Sequence, residues 1–141
     1  MKSFKKSILA AGLALAVVTT IGGVAVFAAG LPQPVTEPST LCGYGVSGRS
    51  DMLYNTAYAS TYYGGNSASV YVESTYRYWD NLRGIPGTMV KTTGHYKNAR
   101  VEFNAPAGCK SVSISSTHNV YKNNQHWDAT TFDDKEASLP Y

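Results

Sequence analysis

Cysteine and charge are both scarce in this chain. Of its 141 residues only two are cysteines, and 15% are charged. Lys2, Lys5 and Lys6 account for the formal net charge of +3, and beyond them 9 Lys and Arg face 9 Asp and Glu. A neutral body without a basic stripe excludes nucleic acid and anionic membrane surfaces as electrostatically driven partners, because both need clustered Lys and Arg. The length leaves room for one domain of ordinary size. Catalytic motifs are missing too. There is no nucleophile elbow, no phosphate-cradling glycine loop, no paired metal-binding histidines and no calcium loop of alternating Asp and Asn ending in Glu. No catalytic residue, no metal and no cofactor is therefore predicted. Helix formers at helical spacing are sparse from Leu53 onward, so a helix of any length is hard to place.

The first 28 residues read as a signal peptide. The three lysines form a charged start, and the apolar run Ile8 to Val18 continues through Ile21 and Val24 to Phe27. Val26-Phe27-Ala28 puts small or aliphatic residues where a signal peptidase reads, which places cleavage after Ala28, with Ala29 the second choice. An uncleaved anchor is the competing reading, diluted by Gly12, Gly22, Gly23 and Thr19-Thr20. Cys42 follows Leu41 where a lipoprotein signal needs a small residue, so no lipid anchor is expected. The chain is expected to be secreted, released or held non-covalently at the cell surface, with no stable membrane span after cleavage. Residues 29–41, with Pro32, Pro34 and Pro38, read as an extended leader outside the sheet, or as a short pro-segment. Two cysteines in an oxidising compartment predict a Cys42–Cys109 disulfide. Zinc or a catalytic thiol would need partners that His95, His118 and His126 are not spaced to supply.

Residues 42–132 are rich in Tyr, Thr, Ser and Val, the side chains of pleated, half-buried surfaces. The pattern predicts an all-β fold, a small antiparallel β-sandwich or barrel of six to seven strands. A first run over Tyr54 to Tyr63 is expected to form a hairpin, through Gly64-Gly65-Asn66, with a second run from Val70 to Trp79. Val70, Val72, Ser74, Tyr76 and Tyr78 share the face that starts as core. Further strands are expected at Thr88 to Thr93, at Tyr96 to Asn104 with Ala99, Val101 and Phe103 inward, and with Val112, Ile114, Ser116, His118 and Val120 as another inner row. Asn123-Asn124 reads as a turn before a last strand, His126 to Phe132. Residues 133–141 read as a tail.

The surplus is aromatic: 11 Tyr and 2 Trp. A core of this size absorbs only some of these rings. Exposed Tyr and Trp beside Asn, Asp and Ser make contact surfaces for glycans or proteins, a flat apolar ring with a polar tip. Tyr62, Tyr63, Tyr76, Tyr78, Trp79 and Trp127 are the candidate ligand-binding residues. The plainer alternative is that tyrosine is a strand former that tolerates water. His118 reads as a hydrogen-bonded core or edge histidine, His95 as a solvated turn residue, and His126 with Asp128 as a possible His-carboxylate pair on one strand face. A hydrolase would need that pair, or Asp51, Asp80, Glu73 and Glu102, to converge.

Cys42-Gly43-Tyr44-Gly45-Val46-Ser47, Tyr58-Ala59-Ser60-Thr61-Tyr62-Tyr63-Gly64-Gly65 and Ser67-Ala68-Ser69-Val70 resemble the start of the lactococcin-type secreted bacteriocins. The resemblance covers about a quarter of the exported chain and implies a β-sandwich made with a cleaved signal peptide and acting on the cell-wall precursor lipid II. This chain departs from that family in its cysteine pair, in its length and in lacking histidines around the Tyr-Gly turn. The residues together lead to the expectation of a secreted, non-catalytic binding protein for a cell-wall or extracellular glycan or protein ligand.

Overall fold

The computed structural model describes residues 33–134. The signal peptide and its cleavage site, the first part of the leader and the tail from residue 135 lie outside the described residues. Eight strands follow in order: β1 (Ser39–Leu41), β2 (Tyr44–Met52), β3 (Thr56–Tyr63), β4 (Ser69–Asp80), β5 (Ile85–His95), β6 (Asn98–Asn104), β7 (Cys109–Lys122) and β8 (Gln125–Asp134). They form two antiparallel sheets of four, ordered β1-β2-β3-β6 and β5-β4-β7-β8. Two facing sheets with alternating burial along β2, β3, β4 and β6 make a sandwich.

The alternation explains the strands locally. Ala57, Ala59, Thr61 and Tyr63 point inward from β3, and Val70, Val72, Ser74 and Tyr76 from β4. Ala99, Val101 and Phe103 do so from β6, as their spacing predicts. Tyr76 stacks on Phe103 across the sandwich, with ring centroids 5.2 Å apart, joining β4 of one sheet to β6 of the other. Two-residue turns close the hairpins at one end. Cys42 and Gly43 between β1 and β2, and Asn123 and Asn124 between β7 and β8, all have positive φ, the backbone that matches strand twist in tight hairpins.

Six expectations are corrected. First, the leader's second half belongs to the sheet: Ser39–Leu41 pairs with β2, and Val35 bridges Arg49. The prolines at 34 and 38 sit on the sheet edge, where a missing donor costs least. Second, the strands number eight and not six to seven: beside β1, β2 escapes sequence reading because its inner row is Val46, Gly48, Ser50 and Met52, only half of it large and apolar. Third, β3 and β4 do not pair. Gly64 to Ala68 carries the chain from one sheet to the other, so the connection is an arch and not a hairpin. Fourth, Val112 is not an inner residue. The β4–β7 register shifts between Arg77 and Tyr78, which face Ser113 and Ser111; the extra residue of this bulge is Val112, and Ser111 takes the buried place. Asp133 and Asp134 likewise belong to β8 and not to a tail.

The sixth concerns the disulfide. Cys42 and Cys109 are free thiols. Cys109 begins β7, whereas the Cys42 thiol lies 3.6 Å from the carbonyl of Lys122, the last residue of the same strand. Fourteen residues of strand span on the order of 40 Å, and a disulfide tolerates about 7 Å between Cα atoms. The bridge is excluded by the length of β7. Cys42 is half-buried and Cys109 buried, so a thiol reagent should label one cysteine per native chain, Cys42, and two after denaturation. Reductant should leave the melting temperature unchanged.

Two buried tyrosines that serve the core offer a second check. The Tyr76 hydroxyl is 2.7 Å from Ser111 Oγ, while the Tyr63 hydroxyl is buried with no hydrogen-bond partner among the described residues. Tyr76→Phe should therefore cost about 1 kcal/mol, and Tyr63→Phe should be neutral or stabilising by up to about 1 kcal/mol. Urea unfolding of the two variants measures the contrast.

Candidate functional site

Six residues were expected to form a ligand surface, and the fold separates them. Tyr63 and Tyr76 are fully buried. Trp127 and Tyr78 are half-buried against the core, and the Tyr78 ring lies over Gly87, where an added Cβ would stand 2.1 Å from it. Tyr62 and Trp79 are exposed, but on outward faces of different sheets and near opposite ends of the sandwich. The six do not make one site.

A different aromatic group does converge. On the outward face of the β5-β4-β7-β8 sheet, Tyr121 stands opposite His126, and their rings stack with centroids 5.9 Å apart and planes 25° apart. Tyr71 sits one strand over, opposite Asn119, which makes Tyr121 its diagonal neighbour. The two tyrosines meet edge to face at 6.2 Å, a favoured aromatic geometry. Gly94 opposite Tyr71 makes this possible: an added Cβ there would fall 2.6 Å from the tyrosine ring, so only glycine lets Tyr71 lie flat toward β5. The result is a strip of three rings across β4, β7 and β8. Tyr71 and Tyr121 remain 43% and 47% exposed.

The strip ends at a recess of about 310 Å³ lined by Tyr121, Lys122, Asn123, Asn124, Gln125 and His126. Asn123 and Asn124 supply the tight turn, and their amides edge the recess. Lys122 is held by carbonyls of the β3–β4 arch: its ammonium donates to Asn66 O at 3.1 Å and to Ser67 O. His126 Nε2 lies 3.2 Å from Asp128 Oδ2, which steadies the ring against Tyr121. The other carboxylate oxygen, Asp128 Oδ1, is buried without a hydrogen-bond partner among the described residues. Rings, amides, an ammonium and a carboxylate thus share one end of one sheet.

Other candidates are engaged elsewhere. Asp51 is held by Arg49 and by the Tyr58 hydroxyl at 2.7 Å, and that hydrogen bond raises the Tyr58 phenol above its ordinary pKa. Glu102 pairs with Arg100 at 2.8 Å, and Arg100 lies 4.0 Å from the centre of the Tyr58 ring. Asp80 caps the β4–β5 turn, and Thr92 donates to Glu73. His95 is exposed at the end of β5 beside Tyr96. Among the described residues no three His, Cys, Asp or Glu gather as metal ligands.

His118 is wholly buried. Its Nδ1 is 2.8 Å from Thr61 Oγ1 and its Nε2 2.7 Å from Thr131 Oγ1. Thr131 reaches Ser50, Ser50 reaches Ser116, and Ser74 donates to Ser116. Gly48 leaves the space for the ring, since a Cβ there would sit 2.5 Å from it.

The chain matches no protein-family model, no curated protein and no solved structure.

Burial lowers the His118 pKa from 6.5 to about 4. The unfolded chain takes up this proton below about pH 6.5 and the native chain only near about pH 4, so the native state is favoured fully above that window and progressively less as pH falls through it. The loss amounts to about 3 kcal/mol across the window. Urea midpoints should fall as pH drops from about 6.5 toward about 4, and His118→Gln should flatten that part of the profile.

Proposed function

We propose that this chain is an exported, non-catalytic binding protein that holds a polyhydroxylated ligand, a glycan of the cell envelope or extracellular space, on the Tyr71–Tyr121–His126 strip. The observation that carries the reading is the continuity of the three exposed rings with a recess edged by Asn123, Asn124, Gln125 and Lys122. Sugars present apolar C–H faces and hydroxyl rims together. Aromatic faces take the first and amide, ammonium and carboxylate groups the second. Export rests on the charged start and apolar run of the first 28 residues. Lys122, the lysine that lines the recess, is already engaged by the Asn66 and Ser67 carbonyls, which favours a neutral ligand over a polyphosphate.

Binding of the purified protein to peptidoglycan, lipid II, intact cells and a glycan array in one comparative assay tests the proposal. Saturable binding to an envelope glycan is expected. Tyr121→Ala and Tyr71→Ala should each weaken it at least tenfold, about 1.4 kcal/mol, without unfolding the domain, whereas Tyr62→Ala and Trp79→Ala should not. Equal loss from all four substitutions, or loss from Tyr62→Ala and Trp79→Ala alone, would remove the strip from the proposal. Lipid II as sole ligand, with killing of related bacteria, would favour the bacteriocin-like reading.

A further inference from the structure

The hydroxyls around His118 fix where its protons sit. Thr61 Oγ1 donates its single proton to Tyr71 O at 2.7 Å, so toward His118 Nδ1, 2.8 Å away, it only accepts. Nδ1 therefore carries the ring proton of the neutral imidazole, and the bare Nε2 accepts from Thr131 Oγ1 at 2.7 Å. The remaining bonds run in the same direction. With its proton committed to Nε2, Thr131 accepts from Ser50, and Ser50 in turn from Ser116, each at 2.6 Å. Ser74 donates to Ser116 at 2.9 Å, which closes the series without a conflict. From Ser74 to Tyr71 O the interior holds one polarised line of hydrogen bonds, and it passes through β4, β7, β2, β8 and β3.

A second ring proton breaks that line at one place. On Nε2 it would face the proton of Thr131, and Thr131, Ser50, Ser116 and Ser74 would all have to turn, leaving the Ser74 proton to find a new acceptor in the interior. The bond from Nδ1 to Thr61 is the same in either charge state. On the inward rows packed around the ring, β2 carries no titratable side chain, β3 carries the Tyr63 phenol, and β4 the Tyr76 and Tyr78 phenols. β8 carries Asp133, whose carboxylate already accepts from Met52 N at 2.8 Å. The conflict therefore falls on Thr131, and so on β8.

Apolar contact anchors β8 poorly. It is an edge of its sheet, and of its residues only the half-buried Trp127 packs against the apolar core. Its inward row is Trp127, Ala129, Thr131 and Asp133, of which Thr131 alone is fully buried. Two polar bonds tie that row to the facing sheet, Thr131 to Ser50 and Asp133 to Met52 N. Segments with few buried apolar contacts open at a lower free energy than the whole domain. We propose that acid releases β8 from the sandwich as a unit, through protonation of His118, while β1 to β7 stay folded. In the released state water reaches the ring, which takes its proton near the ordinary 6.5 instead of about 4. Within that window each pH unit favours release about tenfold. Release also carries His126 and Asp128 away from Tyr71 and Tyr121. Loss of ligand in acid then rests on the reading of the strip as the binding site; the release itself does not.

Amide hydrogen exchange of the purified protein without ligand, expressed as protection factors at about pH 7 and about pH 5, tests the release. Protection of the β8 amides bonded to β7 should fall at least tenfold further than that of the amides within β3 and β4. An equal fall in all strands would be global unfolding and overturns the proposal, as does no fall in β8. His118→Gln should abolish the fall specific to β8, and its persistence in that variant overturns the proposal. His126→Gln should leave the fall in place, as should Asp133→Asn, which keeps an acceptor for Met52 N; abolition by either one overturns the assignment to His118. Should His118→Gln not fold, the ring nitrogens of His118 in the unsubstituted protein decide. Nitrogen-15 NMR should show Nδ1 protonated and Nε2 bare at about pH 7, with ring protonation following the same pH course as the loss of β8 protection. The opposite tautomer, or a ring that titrates while β8 stays protected, overturns the proposal.

Discussion

A neutral imidazole fixed at both nitrogens sets the spacing and register of the two sheets. His118 belongs to β7, and its partners Thr61 and Thr131 belong to β3 and β8, so one ring links the sheets across the sandwich and two strands within one of them. Ser50 of β2 extends the chain of hydroxyls back to Ser116 and on to Ser74 of β4. Hydroxyls rotate to donate or accept as needed, which leaves the imidazole, with one donor and one acceptor, satisfied in a dry interior. A purely apolar layer would tolerate a slipped strand. This one does not, because a shift of one residue would strand several buried polar groups at once.

The rest of the architecture follows from long strands running between two ends. β4 and β7 run the length of the sandwich, so residues at the two ends of one strand belong to different neighbourhoods. That is why Cys42 and Cys109 are separated, and why Trp79 and Tyr71, on the same face of β4, serve different surfaces. One end gathers rings, amides and the Lys122 ammonium around two tight turns; the other gathers leucine, isoleucine and tyrosine at loop tips. The cross-strand pairs Tyr71 with Gly94 and Tyr78 with Gly87 add a local rule: glycine on β5 lets a tyrosine from β4 lie flat. At one position this builds the exposed strip, at the other it covers the core.

Period-two alternation was sufficient to read much of this from the residues alone. The inner rows of β4 and β6 stand as the pattern predicts, and so does β7 from Ile114 to Val120. Alternation also marks Tyr71 as outward, opposite to Val70 and Val72, and the same parity carried along β7 marks Tyr121. Parity applied strictly would have set Tyr63 and Tyr76 inside. What parity cannot supply is pairing. Tyr121 and His126 meet because a two-residue Asn123-Asn124 turn aligns them, but Tyr71 joins them only through the β4–β7 register, which spans about fifty residues of sequence and includes a bulge at Val112.

The sequence by itself determined an all-β domain, the Asn123-Asn124 turn and the inward rows of β4, β6 and β7 from Ile114 on, because these depend on side-chain preference and spacing within a few residues. Tertiary structure alone decided that β3 and β4 part into different sheets, that a glycine- and serine-lined β2 is a central strand, that the cysteines lie a strand's length apart, and which rings share a surface. Each of those depends on which strand lies beside or above another. That arrangement comes from burying apolar rows and matching buried polar groups over the whole chain at once, and no local segment records it.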